Sequence, residues 1–366
     1  MHPTQRRFLA SGCSTYRQVR LRPPPGRKRR WARHLAALAT KPGEKCGLGF
    51  RPGINCVTFG SMRLAGRSYR GPLKPLTERE VEVRENLVRH VRVLASEIGE
   101  RNVFRRDGLR ATERYITGVL EDDGYSVNEQ TFPCDGQELR NLEAVILGAD
   151  DDAETVVVGA HYDTVSGSPG ANDNGSGVAA LLELARLLRA DTPRRAVRLV
   201  AFVNEEQPFF RTGMMGSLVY ARRCRERRDR VSAMLSLETI GSYSDAPGSQ
   251  SYPPLLSFFY PAAGDFIAFV SNLRSRRLLR RVVRAFRSDT RFPSEGAALQ
   301  SWVPGVGWSD QWSFWREGYP AVMVTDTAFH RYRHYHTPWD TADKLDYDRT
   351  ARVVMGLAAV VRDLAG

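Results

Sequence analysis

Cysteine is scarce in this chain. Five among 366 residues are too few for a disulfide scaffold. No run approaches 18 uninterrupted apolar residues, so no spanning helix is expected. Acids are nearly missing from the first fifth. Residues 1–75 hold 17 of the 54 Lys+Arg but one of the 41 acids, Glu44, which leaves 37 basic against 40 acidic residues beyond them. The net +13 and the pI near 9.8 therefore belong to the first segment, and the body is close to neutral. No zinc spacing joins Cys13, Cys46 and Cys56, and no P-loop ending follows any glycine-rich stretch. At 42% hydrophobic and 26% charged, the composition is that of an ordinary globular protein.

The basic segment carries Pro23-Pro24-Pro25 and Arg27-Lys28-Arg29-Arg30. Neither a helical nor a strand period persists through it, so residues 1–75 are read as a disordered, solvated extension. Other readings compete. Arg6-Arg7-Phe8-Leu9 resembles a twin-arginine export signal and Cys13 a lipid-modified cysteine, but no apolar core follows either. Basic runs bind nucleic acid, yet no aromatic platform accompanies this one, and none is expected for the body. Met62 is an alternative start. With no complete export signal, the cytoplasm is the default compartment.

From residue 76 to 366 the chain is expected to form one domain. Apolar spacing predicts helices over 76–100, 112–121, 177–190, 218–230, 266–286 and 349–364. Strands are predicted over 154–160, 196–203, 231–237 and 321–325. Alternating strands and helices imply a three-layer α/β/α sandwich around a mostly parallel, mixed sheet. In such sheets ligands bind beyond the carboxyl ends of the strands.

Those ends carry the chemistry. After the first valine-rich strand come His161, Tyr162 and Asp163, then a glycine-rich loop holding Asn172-Asp173-Asn174. After the second come Asn204-Glu205-Glu206, after the third Glu238, and after the fourth His330, His334 and His336. So many acids and imidazoles at one edge require cations to neutralise them. Imidazole and carboxylate without thiolate suit zinc, with manganese or cobalt as substitutes. His334 and His336 lie two apart, and spacing alone does not choose between them. Phe209-Phe210, Met214-Met215, Trp308, Trp312 and Trp315 read as core more than pocket. Cys224, amid Arg222, Arg223 and Arg225, is expected to have a lowered thiol pKa, but no His or Asn partner marks it as a nucleophile.

Taken together, Gly159-Ala160-His161-Tyr162-Asp163, Gly170 to Gly177, Asn204-Glu205-Glu206, Leu237-Glu238 and His336-Thr337-Pro338-Trp339-Asp340-Thr341 resemble the family-28 zinc metallopeptidases, aminopeptidases with two zinc ions. The resemblance covers residues 80–366. It implies that Asp173 bridges both metals, that His161 and Glu238 complete one site, and that Glu206 and His336 complete the other. It also implies that Glu205 is the general base, that Asp163 orients His161, and that the Asp173–Asn174 peptide is cis. The substrates implied are peptides with a free amino terminus. Glu238 stands where some relatives have Asp, and Ser309-Asp310-Gln311 stands where relatives have Ser-Asp-His. Two alternatives remain at this stage: a glutaminyl cyclase on the same scaffold, and a peptidase-like binding module without catalysis. Neither the preferred first residue nor the oligomeric state can be read from the sequence.

Overall fold

A computed structural model describes residues 66–150 and 154–366. The chain divides into two units, Met1–Thr58 and Phe59–Gly366, and every described residue belongs to the second. The expected extension therefore lies outside the described residues up to position 65, as do the export, lipidation, nucleic-acid and alternative-start readings. Residues 66–75 run along the body. The Ser294 amide donates to Ser68 Oγ at 2.9 Å, Arg287 donates to the Gly66 carbonyl at 3.0 Å, and Leu73 packs against the core.

The first helix, α1 (Glu78–Arg92), begins at a capping box in which Thr77 and Glu80 satisfy each other's backbone amides. Its apolar stripe, Val83, Leu87 and Val91, is buried. It continues through one π-helical turn, Val93–Ile98, to Gly99. Then follow α2 (Arg106–Asp122), β1 (Asn128–Cys134), β2 (Gln137–Ile146), β3 (Thr155–His161), α3 (Gly177–Leu188), β4 (Val197–Phe202), α4 (Gly216–Glu226) and β5 (Val231–Glu238). The chain ends with β6 (Ile267–Asn272), α5 (Arg276–Asp289), β7 (Ser294–Leu299), α6 (Gln311–Arg316), β8 (Ala321–Thr325) and α7 (Tyr347–Ala365). Among the described residues no helix is long and apolar enough to cross a membrane.

All eight strands form one sheet in the order β1-β2-β4-β3-β5-β8-β6-β7. The pairs β3/β4, β3/β5, β5/β8 and β6/β7 are parallel, and the other three are antiparallel. Alternate residues of β3 feed opposite layers. Val156 and Val158 join the larger cluster with α1, α3, α5 and α7, whereas Val157 packs with Tyr220 and Phe314 of α4 and α6. The result is the expected mixed sheet with helices on both faces.

Two parts of the secondary-structure reading need correction. The helix expected over 266–286 is a strand followed by a helix. The period of Leu279, Val282, Val283 and Phe286 belongs to α5 alone, and the consecutive apolar run Ile267-Ala268-Phe269-Val270 is a central strand. The Ser275 amide bonds to Asn272 Oδ1 at 2.8 Å, which closes the turn between them. The β1/β2 hairpin was also not expected. Its signal is Asp135-Gly136, both at positive φ, the pair that a tight two-residue hairpin turn favours.

Candidate metal centre

Strands β3, β4, β5 and β8 are parallel neighbours, so their carboxyl ends open onto one edge. His161 is the last residue of β3 and Glu238 the last of β5. Glu205 and Glu206 follow β4, and His336 lies in the segment after β8. Asp173 sits in the turn that leads into α3. Two groups result. In one, His161 Nε2 is 3.3 Å from Asp173 Oδ1 and 3.3 Å from Glu238 Oε2. In the other, His336 Nε2 is 3.0 Å from Asp173 Oδ2 and 3.2 Å from Glu206 Oε1. Asp173 thus offers one oxygen to each group. Glu205 belongs to neither group, and it is buried beside them.

These atoms are close without being hydrogen-bonded. His161 Nε2, Asp173 Oδ2 and Glu206 Oε1 are buried and have no hydrogen-bond partner. Buried polar atoms without partners are rare. A set of imidazole nitrogen and carboxylate oxygen, held in two groups whose donor atoms lie within 4.8 Å of one another, fits divalent cations such as zinc.

The loop that holds Asp173 is fixed by residues the sequence reading did not single out. The Arg101 guanidinium, fully buried, donates to the carbonyls of Leu94, Gly99, Tyr162, Pro169 and Gly170. Asp340 accepts from the amides of Asn172 and Asp173 at 2.8 and 3.0 Å, and from Tyr332 Oη at 2.8 Å. Asn174 ties the turn to β5 through the Leu237 carbonyl at 2.8 Å. Gly170 has φ +61, and a Cβ there would lie 2.5 Å from the Asp173 carbonyl oxygen, so only glycine fits. The Asp173–Asn174 peptide is cis. Asp340 belongs to a motif already noted, so its signal was in the sequence. Arg101 has no local signal, because the carbonyls through which it reaches this loop, those of Tyr162, Pro169 and Gly170, are 61 to 69 residues away.

Asp163 meets more than His161. Its carboxylate lies 3.6 Å from His161 Nδ1, and the Asp163 carbonyl oxygen is nearer, at 3.2 Å. Its two oxygens accept from the amides of Glu205 and Glu206 at 3.0 and 3.1 Å. It therefore holds the turn after β4 in place. Ser309 Oγ donates to Glu238 Oε2 at 2.6 Å and fixes the longer carboxylate arm. The Gln311 side-chain amide donates to the Val306 carbonyl at 3.1 Å. Asp310 is buried, and burial first, then Glu238 and Asp163, push its carboxyl up to about 7 against the pull of His161.

His334 joins neither group. His330 packs on Phe329 and lies 3.3 Å from Ser251 Oγ. The aromatic reading divides: Phe209 and Met215 are buried, but Trp308 is 43% exposed and lines a cavity that reaches Glu238. The Cys224 expectation fails. Its thiol is buried, and that burial outweighs Arg198 and Arg223 and pushes it up to about 12.

Without cations, His336 and Glu206 hold protons more firmly than usual, while against the cost of burial His161 and His336 keep Asp173 ionised. Burial opposes a charge on His336, but Asp173 and Glu206 raise it to about 10. Burial, then Asp173, raises Glu206 to about 7. Both folded values lie above the ordinary 6.5 and 4.5. Each contribution to stability is therefore complete below the ordinary value and is lost as pH rises through the folded one. The Tm of the cation-free protein should fall as pH rises from 6.5 towards 10, while zinc affinity rises over the same interval as protons leave the ligands. Thermal scans with and without zinc, and zinc titrations at two pH values, check this. A cation-free Tm that is flat or rising would contradict it.

Comparison with known proteins points the same way. The sequence model of peptidase family M28 matches residues 141–361. YfbL, an uncharacterized protein of Escherichia coli, is 41% identical over 286 residues, covering 76% of this chain and 87% of that protein. A probable zinc metalloprotease of Pyrenophora teres f. teres is 28% identical over 247 residues, 59% of this chain, which spans only 49% of that protein's length. Among solved structures, the LapA aminopeptidase of Legionella pneumophila superposes with a TM-score of 0.61 at 20% identity, covering 81% of this chain and 77% of that one. A glutaminyl cyclase of Fimbriiglobus ruber gives 0.56 at 19% identity, covering 81% and 98%. At such identities the two structures bear on the fold alone.

Proposed function

Because the chain belongs to peptidase family M28, we propose that it is an aminopeptidase, releasing the first residue of peptides with a free amino terminus at a centre of two divalent cations, zinc by preference. The observation that carries this reading is the division of Asp173 between two donor groups, in which His161 Nε2, Asp173 Oδ2 and Glu206 Oε1 are buried without a hydrogen-bond partner. His161, Asp173 and Glu238 would hold one cation, and Asp173, Glu206 and His336 the other. When bound, the cations supply Lewis acidity, which polarises the scissile carbonyl and makes water a stronger acid.

The remaining work falls to the chain's own side chains. Glu205 takes the proton of the attacking water and passes it to the departing amine. Without cations, burial and then Glu206, Glu238 and Asp310 hold its carboxyl well above the usual carboxylate range against the pull of His161; cations on that acidic cluster would favour the ionised form that accepts a proton. Asp163 holds the Glu205 and Glu206 amides, so that one side chain faces the water and the other the cations. Glu206 and Glu238 read the free α-amine. That requirement separates an exopeptidase from an endopeptidase. Residues 1–65 are proposed as an extension outside the catalytic domain, and residues 66–75, which pack on the body, are assigned to it.

The test is mass spectrometry of short peptides, paired as free and acetylated forms, incubated with the zinc-loaded protein. Stepwise loss of first residues from free peptides alone is expected. Equal cleavage of blocked peptides would refute an aminopeptidase. Loss of ammonia from Gln-first peptides, without shortening, would make it a cyclase.

A further inference from the structure

A cavity runs from the metal centre across the sheet to its far edge. Its lining includes Glu238, Met323, Val270, Ala297 and Trp308, together with Glu295 of the edge strand β7. The sheet register explains its shape. Glu238 pairs with Thr325, Thr325 with Ala268, and Ala268 with Glu295. Laterally paired residues share a face of the sheet. The four therefore form one row across β5, β8, β6 and β7, with a glutamate at each end and two small residues between. Three inter-strand steps put the two glutamate backbones about 14 Å apart. The next row on the same face, Met323, Val270 and Ala297, floors the rest of the trough with apolar atoms.

Glu295 is a carboxylate without a close partner. It makes no hydrogen bond or ion pair among the described residues. Burial raises its carboxyl, Arg287 and then Arg70 pull it down, and Asp265 raises it more weakly. Arg287 spends its donors on Ser294 and Gly66. Tyr252 and Tyr260 stack at 5.8 Å in the cavity wall, and both lie within reach of the Glu295 charge. An apolar trough ending in an unpaired carboxylate beside aromatic faces matches a side chain with an aliphatic stem and a cationic head.

We infer that Glu295 selects peptides whose first residue is arginine or lysine, with the aliphatic stem over Thr325 and Ala268 and the cation on the Glu295 carboxylate. This rests on the aminopeptidase reading, in which the α-amine is held at the Glu238 end. A first residue with a short side chain does not span the trough. Norleucine fills it much as lysine does but leaves Glu295 unpaired.

The experiment measures kcat/KM of the full-length, zinc-loaded protein on otherwise identical peptides beginning with Arg, Lys, norleucine or Phe. It uses the wild type, Glu295→Gln and Glu295→Asp. The wild type should prefer Arg or Lys to norleucine. In Glu295→Gln that ratio should fall at least about tenfold, mainly through KM, because the cation loses its charged partner, and Glu295→Asp should restore part of it. The ratio is taken within each variant, so a loss of folded protein cancels. A wild type that prefers norleucine or Phe, or a ratio unmoved by Glu295→Gln, overturns the inference and leaves the aminopeptidase reading standing. Release from none of the four peptides overturns both.

Discussion

Glu205→Gln is expected to leave a folded protein with a full complement of zinc and a kcat lower by about 10²–10⁴-fold, the usual contribution of a positioned general base. The substitution keeps size and shape and removes only the ability to take a proton. The backbone contact that orients the residue, its amide on Asp163 Oδ1 at 3.0 Å, does not involve the side chain and should persist. Glu205 belongs to neither donor group, so cation content should not change. Three readouts are needed together: zinc stoichiometry, Tm and turnover of a free-amino peptide. A loss of kcat below about tenfold, with metals and Tm intact, would remove Glu205 from proton transfer. Loss of zinc would instead make it a ligand. A binding module without catalysis predicts no turnover in the wild type either, so the comparison also excludes that alternative.

The central layer was legible because strand and chemistry coincide. Val156, Val157 and Val158 form a short apolar run too brief for a helix, and His161-Tyr162-Asp163 follow at once. The same logic located Glu205, Glu206 and Glu238, since each ends or follows a buried strand. The far half of the sheet was harder. Strand β7 reads Ser-Glu-Gly-Ala-Ala-Leu, with no β-branched residue, and it is a strand because β6 pairs with it. Strand β6 was absorbed into a helix because the period of α5 is strong enough to mask its neighbour. What supports Asp173 was the least visible. Arg101 bonds to carbonyls, which leave no trace in residue identity. Asp340 stood in a visible motif, but its bonds to amides 167 and 168 residues away had no local sign. Cys224 fails for a related reason: a sequence shows charged neighbours but not burial, and burial dominates that thiol.

Asp173→Asn should be the more damaging substitution, because one residue serves both groups. Its oxygens lie 3.3 Å from His161 Nε2 and 3.0 Å from His336 Nε2, so neither group is complete without it. The asparagine keeps the shape, and its amide can still bond to Asp340, so the loop should fold. The charge balance fails instead. Asp173, Glu206 and Glu238 would offset two divalent cations, and removing one acid would leave more uncompensated positive charge in a buried site. Zinc retained after gel filtration should fall from two per chain to well below one, and turnover by at least about 10³-fold, given the several kcal/mol that cations contribute to such reactions. Glu238→Gln is the control. It touches only the His161 group, through the contact at 3.3 Å, and should weaken one cation while the other stays. If Asp173→Asn instead holds two zinc ions as firmly as the wild type, the carboxylate does not join the two groups, and the two-cation centre must be abandoned. If both variants lose a single ion, Asp173 serves the His161 group alone, and the second group of Glu206 and His336 must be completed by something other than this carboxylate.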